Sequence, residues 1–173
     1  MDLLAHAKAF AAERHAGQMY GEQTYLDGHL LPIVADLVAS FPDDIALQAA
    51  GALHDVVEDT PTPIAEVRTH FGDDVGDLVW AVTSEKGKNR KERNAATYPK
   101  IRAAGVRAII LKLKDRKKNL CECWTTRDPK LFMYFREYPD FRRALRREED
   151  GPVVLALWDE IDKMLGWWEP SKT

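Results

Sequence analysis

The chain has 173 residues, of which 45% are hydrophobic and 31% charged, with a formal net charge of −3. That length suits one domain, 1–173, and is enough to bury a substantial core in an ordinary globular protein. The near balance of charge excludes a global field that would draw the chain to nucleic acid or to an anionic membrane, and no apolar run approaches the length of a membrane span.

Helical periodicity begins at once, from about Asp2 to His15, with Gly17 as the stop signal. The acidic residues and periodicity of this segment set it apart from a signal peptide. The loop "GQMYGEQTYLDG" carries three glycines, and a helix resumes near Leu31–Ser40. After "FPDD", with Asp43 or Asp44 as its cap, one helix is expected from Ile45 to about Glu58. "TPTP" breaks it, and Pro63 suits the first turn of a short helix through "IAEVRTHF". Gly72 separates that helix from "DDVGDLVWAVTS". A polar loop spans 84–90, and helical patterns follow at 91–103, 105–122, 129–147 and 152–165. Strand signals are nearly absent, so the fold class is all-α.

Three basic runs punctuate the second half, "KGKNRKER" (86–93), "KLKDRKK" (112–118) and "RRALRR" (142–147). They read as solvated helix faces, with a small phosphorylated ligand as the sharper alternative. Cys121 and Cys123 are too close for an easy disulfide and lack a second pair for structural zinc. They read as reduced thiols of a cytoplasmic protein. The aromatic C-terminus "LGWWEP" reads as packing on the core.

Chemistry concentrates in "LHDVVEDT" (53–60). The preceding residues are apolar around the whole helix axis, which marks a core helix. On a continuous helix His54 and Glu58 share one face, as do Asp55 and Asp59, one turn apart. Burying a lone carboxylate is costly, and the cost falls when it is paired or holds a metal. Histidine with aspartate suits a divalent transition ion. The zincin pattern fails, because Asp55 follows His54 and the next histidine is His70. Spacing alone leaves two readings open: a metal ligand set, or a helix end with solvated acids and a satisfied histidine.

Four blocks in order carry a resemblance: "HAGQ" (15–18) with "YGEQTYLDGH", "ALHDVVEDT" (52–60), "FGDDVGDLVWAVT" (71–83) and "LKLKDRKKNL" (111–120). "LWDEIDKML" fits less closely. Together they resemble the HD superfamily of metal-dependent phosphohydrolases, and within it the hydrolase domain of the Rel/SpoT-type alarmone enzymes and the small alarmone hydrolases. The resemblance implies an HD-domain helical bundle with His29, His54, Asp55 and Asp115 as metal ligands and manganese as the ion. It implies Glu58 and Asp59 as the acids that activate water, and Gln18, Tyr20, Arg90 and Asn119 as nucleotide contacts. On periodicity alone Asp115 falls beside Ala108 and Leu111, apart from Lys114 and Lys118; its plain reading is a solvated acid.

The chain departs from the family at two places. Tyr25 to His29 is four residues where the family has three, and Pro32 does not follow the histidine directly. One extra loop residue with the histidine kept is the expectation, and His15 is the reserve. After Gln18 the family carries basic residues toward the nucleotide, whereas this chain has Met19 and Tyr20. The implied activity is removal of the 3′-diphosphate from guanosine tetra- or pentaphosphate, a small-molecule nucleotide substrate, with no synthetase segment in the chain. The alternatives are an HD hydrolase for another nucleotide and a non-catalytic nucleotide-binding regulatory module.

Overall fold

Helices dominate the backbone in the computed structural model, which describes residues 2–166. In chain order they are α1 (Leu3–Arg14), α2 (Leu31–Ser40), α3 (Ile45–Leu53), α4 (Val56–Asp59), α5 (Ile64–Val82), α6 (Arg90–Ala104), α7 (Val106–Thr126), α8 (Lys130–Leu145) and α9 (Pro152–Met164). Between α1 and α2 lie a π-helical turn, Leu26–Leu30, and an antiparallel hairpin of β1 (Met19–Tyr20) and β2 (Gln23–Thr24). The all-α architecture is the one expected from periodicity.

The middle of the packing is α3. Every residue from Leu47 to Leu53 is buried, and the helix packs against α1, α2, α5 and α7. Asp44 caps it by accepting from Leu47 N at 3.0 Å, which decides between the two aspartates the sequence offered. A Cβ on Gly51 would stand 2.5 Å from Leu37 Cδ1, so glycine permits the close approach of α2 and α3. The other long core element, α7, packs against α2, α3, α5, α6, α8 and α9. The junction that follows α3, and α7 itself, carry most of the chemistry described below.

Two expectations are corrected. The helix expected to run unbroken to Glu58 ends at Leu53, and His54 and Asp55 form a junction before α4. Asp55 sits at φ −99°, ψ −5°, in the bridge region between helix and extended backbone. Gly72 divides α5 into two helical halves, as expected, its φ of 83° and ψ of 170° being non-helical. The basic run 112–118 is no solvated face. Lys114 and Arg116 are buried, and Lys114 Nζ donates to Asp36 Oδ1 at 2.7 Å and Ser40 Oγ at 3.0 Å. Pairing makes such burial tolerable. The run 86–93 is largely exposed, as expected.

Cys121 and Cys123 are unpaired thiols. Trp167 and Trp168 lie outside the described residues. Among the described residues no helix is long and apolar enough to cross a membrane.

Candidate metal centre and its polar cavity

Three separate elements bring four side chains to one point. His29 comes from the π-turn, His54 and Asp55 from the α3–α4 junction, and Asp115 from the middle of α7. His54 Nε2 lies 3.0 Å from Asp55 Oδ2 and 3.8 Å from Asp115 Oδ1. His29 Nε2 lies 3.3 Å from Asp55 Oδ2, 3.5 Å from Asp115 Oδ1 and 3.3 Å from His54 Nε2. Successive residues of a regular helix diverge by about 100°; the interruption of α3 at residue 54 lets two neighbours aim at the same point. The π-turn does the same for His29, since a π-turn holds one residue more than an α-turn.

The donor set fits a divalent cation. Donors held about 2.1 Å from a common ion stand roughly 3.0–3.4 Å apart, close to the separations observed. His54 Nδ1 lies 2.9 Å from the Gly51 carbonyl; donating its proton there leaves the Nε2 lone pair facing the cluster. The carboxylates are held in place from outside. Tyr25 donates to Asp55 Oδ2 at 2.5 Å. Asn119 Nδ2 donates to Asp115 Oδ1 at 2.6 Å, and Lys112 Nζ to Asp115 Oδ2 at 2.8 Å.

Electrostatics agree with this reading. Burial alone would raise Asp55, but the His54 and His29 imidazoles hold it well below the usual carboxylate range. Burial likewise opposes the ionised Asp115, and Lys112 with His54 keeps it low. Burial would lower His54, but Asp55 and Asp115 outweigh it and raise it well above its ordinary value. The cluster thus draws positive charge to itself. A divalent cation meets that demand and leaves the imidazoles neutral, as ligands must be.

Beside the cluster lies a polar cavity of about 190 Å³. Its lining joins the acids Asp55, Glu58, Asp59 and Asp115 with the cations Arg90, Lys112 and Arg116 and the polar or aromatic Tyr25, His29, Ser84, Asn94, Thr97, Tyr98, Asn119 and Tyr134.

A model of the HD domain family matches residues 7–131. The chain belongs to the HD domain family. It is 36% identical over 122 residues to guanosine-3′,5′-bis(diphosphate) 3′-pyrophosphohydrolase MESH1 of Xenopus tropicalis, covering 68% of each chain. It is 34% identical over 172 residues to the guanosine-3′,5′-bis(diphosphate) 3′-pyrophosphohydrolase of Aquifex aeolicus, covering 95% of this chain and 23% of that longer protein. Among solved structures, a metazoan SpoT orthologue described as hydrolysing ppGpp superposes with a TM-score of 0.81. The two are 25% identical, and the match covers 97% of this chain and 98% of that one.

In this HD domain the two acids next to the cluster are each anchored by one oxygen. Glu58 Oε2 accepts from Ser84 N at 3.0 Å, and Asp59 Oδ2 from Gln18 Nε2 at 3.3 Å. Burial and then the neighbouring Asp55 charge raise Asp59 above the usual carboxylate range. The sequence pattern places these acids at the end of a long helix. They occupy a four-residue helix instead.

The nucleotide contacts expected from the resemblance divide. Arg90 and Asn119 line the cavity, Arg90 held by Glu137. Gln18 and Tyr20 are not among the lining residues. Gln18 bridges Asp59 and His15 Nδ1, the latter at 2.7 Å. Tyr20 donates to Asn119 Oδ1 at 3.0 Å, and its ring packs 4.9 Å from that of His29. Met19 is 57% exposed. The reserve ligand His15 stacks on Tyr25 at 4.9 Å, outside the cluster.

Sequence reasoning missed Tyr25, Lys112, Tyr98, Arg116 and Glu137. A signal existed for Lys112, which precedes Asp115 by three and Asn119 by seven and so shares their face. None existed for Tyr98 and Glu137, which meet the site only through tertiary packing.

Proposed function

We propose that the chain is a metal-dependent phosphohydrolase that removes the 3′-diphosphate from guanosine 3′,5′-bis(diphosphate) and its pentaphosphate homologue. The observation that carries this reading is the convergence of His29, His54, Asp55 and Asp115 next to Glu58 and Asp59. That convergence occurs in a chain whose relatives are named for the same hydrolysis.

In this reading the two histidines and two aspartates hold the ion, and manganese is the ion proposed; mixed nitrogen and oxygen donors are compatible with it. A bound divalent ion supplies Lewis acidity toward a phosphoryl oxygen and toward water. Asn119 and Lys112 fix the Asp115 carboxylate, and Tyr25 fixes that of Asp55. Glu58 and Asp59 each keep one oxygen for the cavity, and that oxygen takes the proton of the attacking water. Asp59 is suited to this, because burial and the Asp55 charge raise its affinity for a proton. Arg90 meets phosphate charge at the cavity edge, and Asn119 meets the nucleotide.

Manganese-loaded protein should release diphosphate from guanosine 3′,5′-bis(diphosphate) in preference to a panel of other nucleotides. Turnover of another nucleotide alone would end the alarmone reading. That runner-up has one observation in its favour: no basic side chain follows Gln18. Glu58→Gln combined with Asp59→Asn should lower kcat by about 10²–10⁴-fold while metal analysis still finds a full complement. Undiminished turnover would remove the acids from the mechanism.

A further inference from the structure

Part of the cavity wall is made of groups that the mechanism above does not use. Arg116 is only 4% exposed yet lines the cavity. Its guanidinium carbon lies 4.6 Å from the Tyr134 ring centroid and 4.5 Å from that of Phe141, so two aromatic rings hold it. A guanidinium offers five N–H donors. Among the described residues Arg116 meets only Glu137 Oε2, at 3.5 Å.

Tyr98 lines the same cavity and is 6% exposed. Its ring packs edge-on against Phe141 at 5.6 Å, and its buried hydroxyl has no partner. Burial raises the phenol above its ordinary range, so the hydroxyl remains a donor. The charged groups that act on it are Arg116, Glu137, Lys112 and Arg90. The three cations can only donate, and Glu137 is engaged by both arginines. What the hydroxyl lacks is therefore an acceptor, and Arg116, the cation that acts on it most, lines the same cavity.

We propose that Arg116 and Tyr98 form a buried oxyanion subsite that holds non-bridging oxygens of the substrate's diphosphate. Naming the diphosphate rests on the hydrolase reading above; the anion site rests on the two side chains. A planar guanidinium matches two phosphoryl oxygens at once. Its clamping between rings means that little side-chain freedom is lost on binding. Tyr98 adds a third donor.

Tyr98→Phe removes the hydroxyl and nothing else. Binding of inorganic diphosphate to manganese-loaded protein, freed of excess metal, should be followed by calorimetry. The variant should bind about tenfold more weakly, the effect of one hydrogen bond to a charged acceptor, with unchanged metal stoichiometry and no loss in melting temperature. Arg116→Lys keeps the charge but loses the fork, and should weaken diphosphate binding at least as much. Affinity within twofold of the parent, or no diphosphate binding by the parent, would overturn the proposal. So would a lowered melting temperature for Tyr98→Phe, since the hydroxyl would then serve the fold. If diphosphate binds and the variant weakens it while guanosine 3′,5′-bis(diphosphate) is not hydrolysed, the subsite stands and the reaction assignment falls.

Discussion

Tyr25 shows how a single side chain prepares a ligand. Its hydroxyl donates to the Asp55 oxygen that also faces both imidazoles. Burial, with the Asp55 charge next, raises the phenol far above its ordinary range, so it never competes as an anion. The bond fixes the carboxylate's rotation, and groups that orient a ligand from outside typically account for about 10–100-fold in metal affinity. Tyr25→Phe should therefore bind manganese roughly tenfold more weakly, with the helical signal in circular dichroism unchanged. Titration with a fluorescent chelator as competitor reads this directly, and an unchanged affinity would assign Tyr25 to packing alone.

At the scale of elements, α2 and α7 are joined by charge. Lys114 is buried, and its ammonium donates to Asp36, whose side chain is 36% exposed. Burial would raise the Asp36 carboxyl, but the hydrogen bond and charge of Lys114, with Lys117 behind, lower it below the ordinary 3.8. The folded state thus favours the ionised acid. The resulting stability is complete above pH 3.8 and is lost as pH falls through the depressed folded value. Asp36→Asn should destabilise the protein at neutral pH by about 1–3 kcal/mol. That is less than the 3–5 kcal/mol for breaking a fully buried pair, because water reaches Asp36. Its loss of stability below pH 4 should also be shallower than the parent's, as urea midpoints across pH would show. None of this was legible beforehand: a lysine-rich heptad reads as solvated, and only the packing of α2 over α7 reveals where the ammonium goes. The helices themselves were legible, because apolar period and glycine or proline stops suffice for them. The α3–α4 junction was not, because an interruption at Asp55 leaves the apolar period intact on both sides. The π-turn was half legible: the count from Tyr25 to His29 announced an extra residue, but not that the turn would absorb it and keep His29 buried.

Across the whole molecule, the cluster links the π-turn, the α3–α4 junction and α7, segments far apart in sequence. The resemblance named the four converging residues; the structure supplies the groups behind them. A cation bound here connects these segments in the folded state and has no comparable site in the unfolded chain. Binding to the folded state alone stabilises it by RT ln(1 + [L]/Kd), about 2.7 kcal/mol at a hundredfold excess over Kd. For a protein of this size that corresponds to a rise of roughly 5–11 °C in melting temperature. Manganese at that excess should therefore raise the melting temperature, and a chelator should reverse the rise. His54→Ala removes a donor from the centre of the cluster and should abolish the response even if it lowers the baseline, because the quantity read is the difference between loaded and chelated protein. Glu58→Gln, outside the ligand set, should keep the full response. A variant lacking His54 that still gains several degrees with manganese would place the ion elsewhere and detach the hydrolase reading from this cluster.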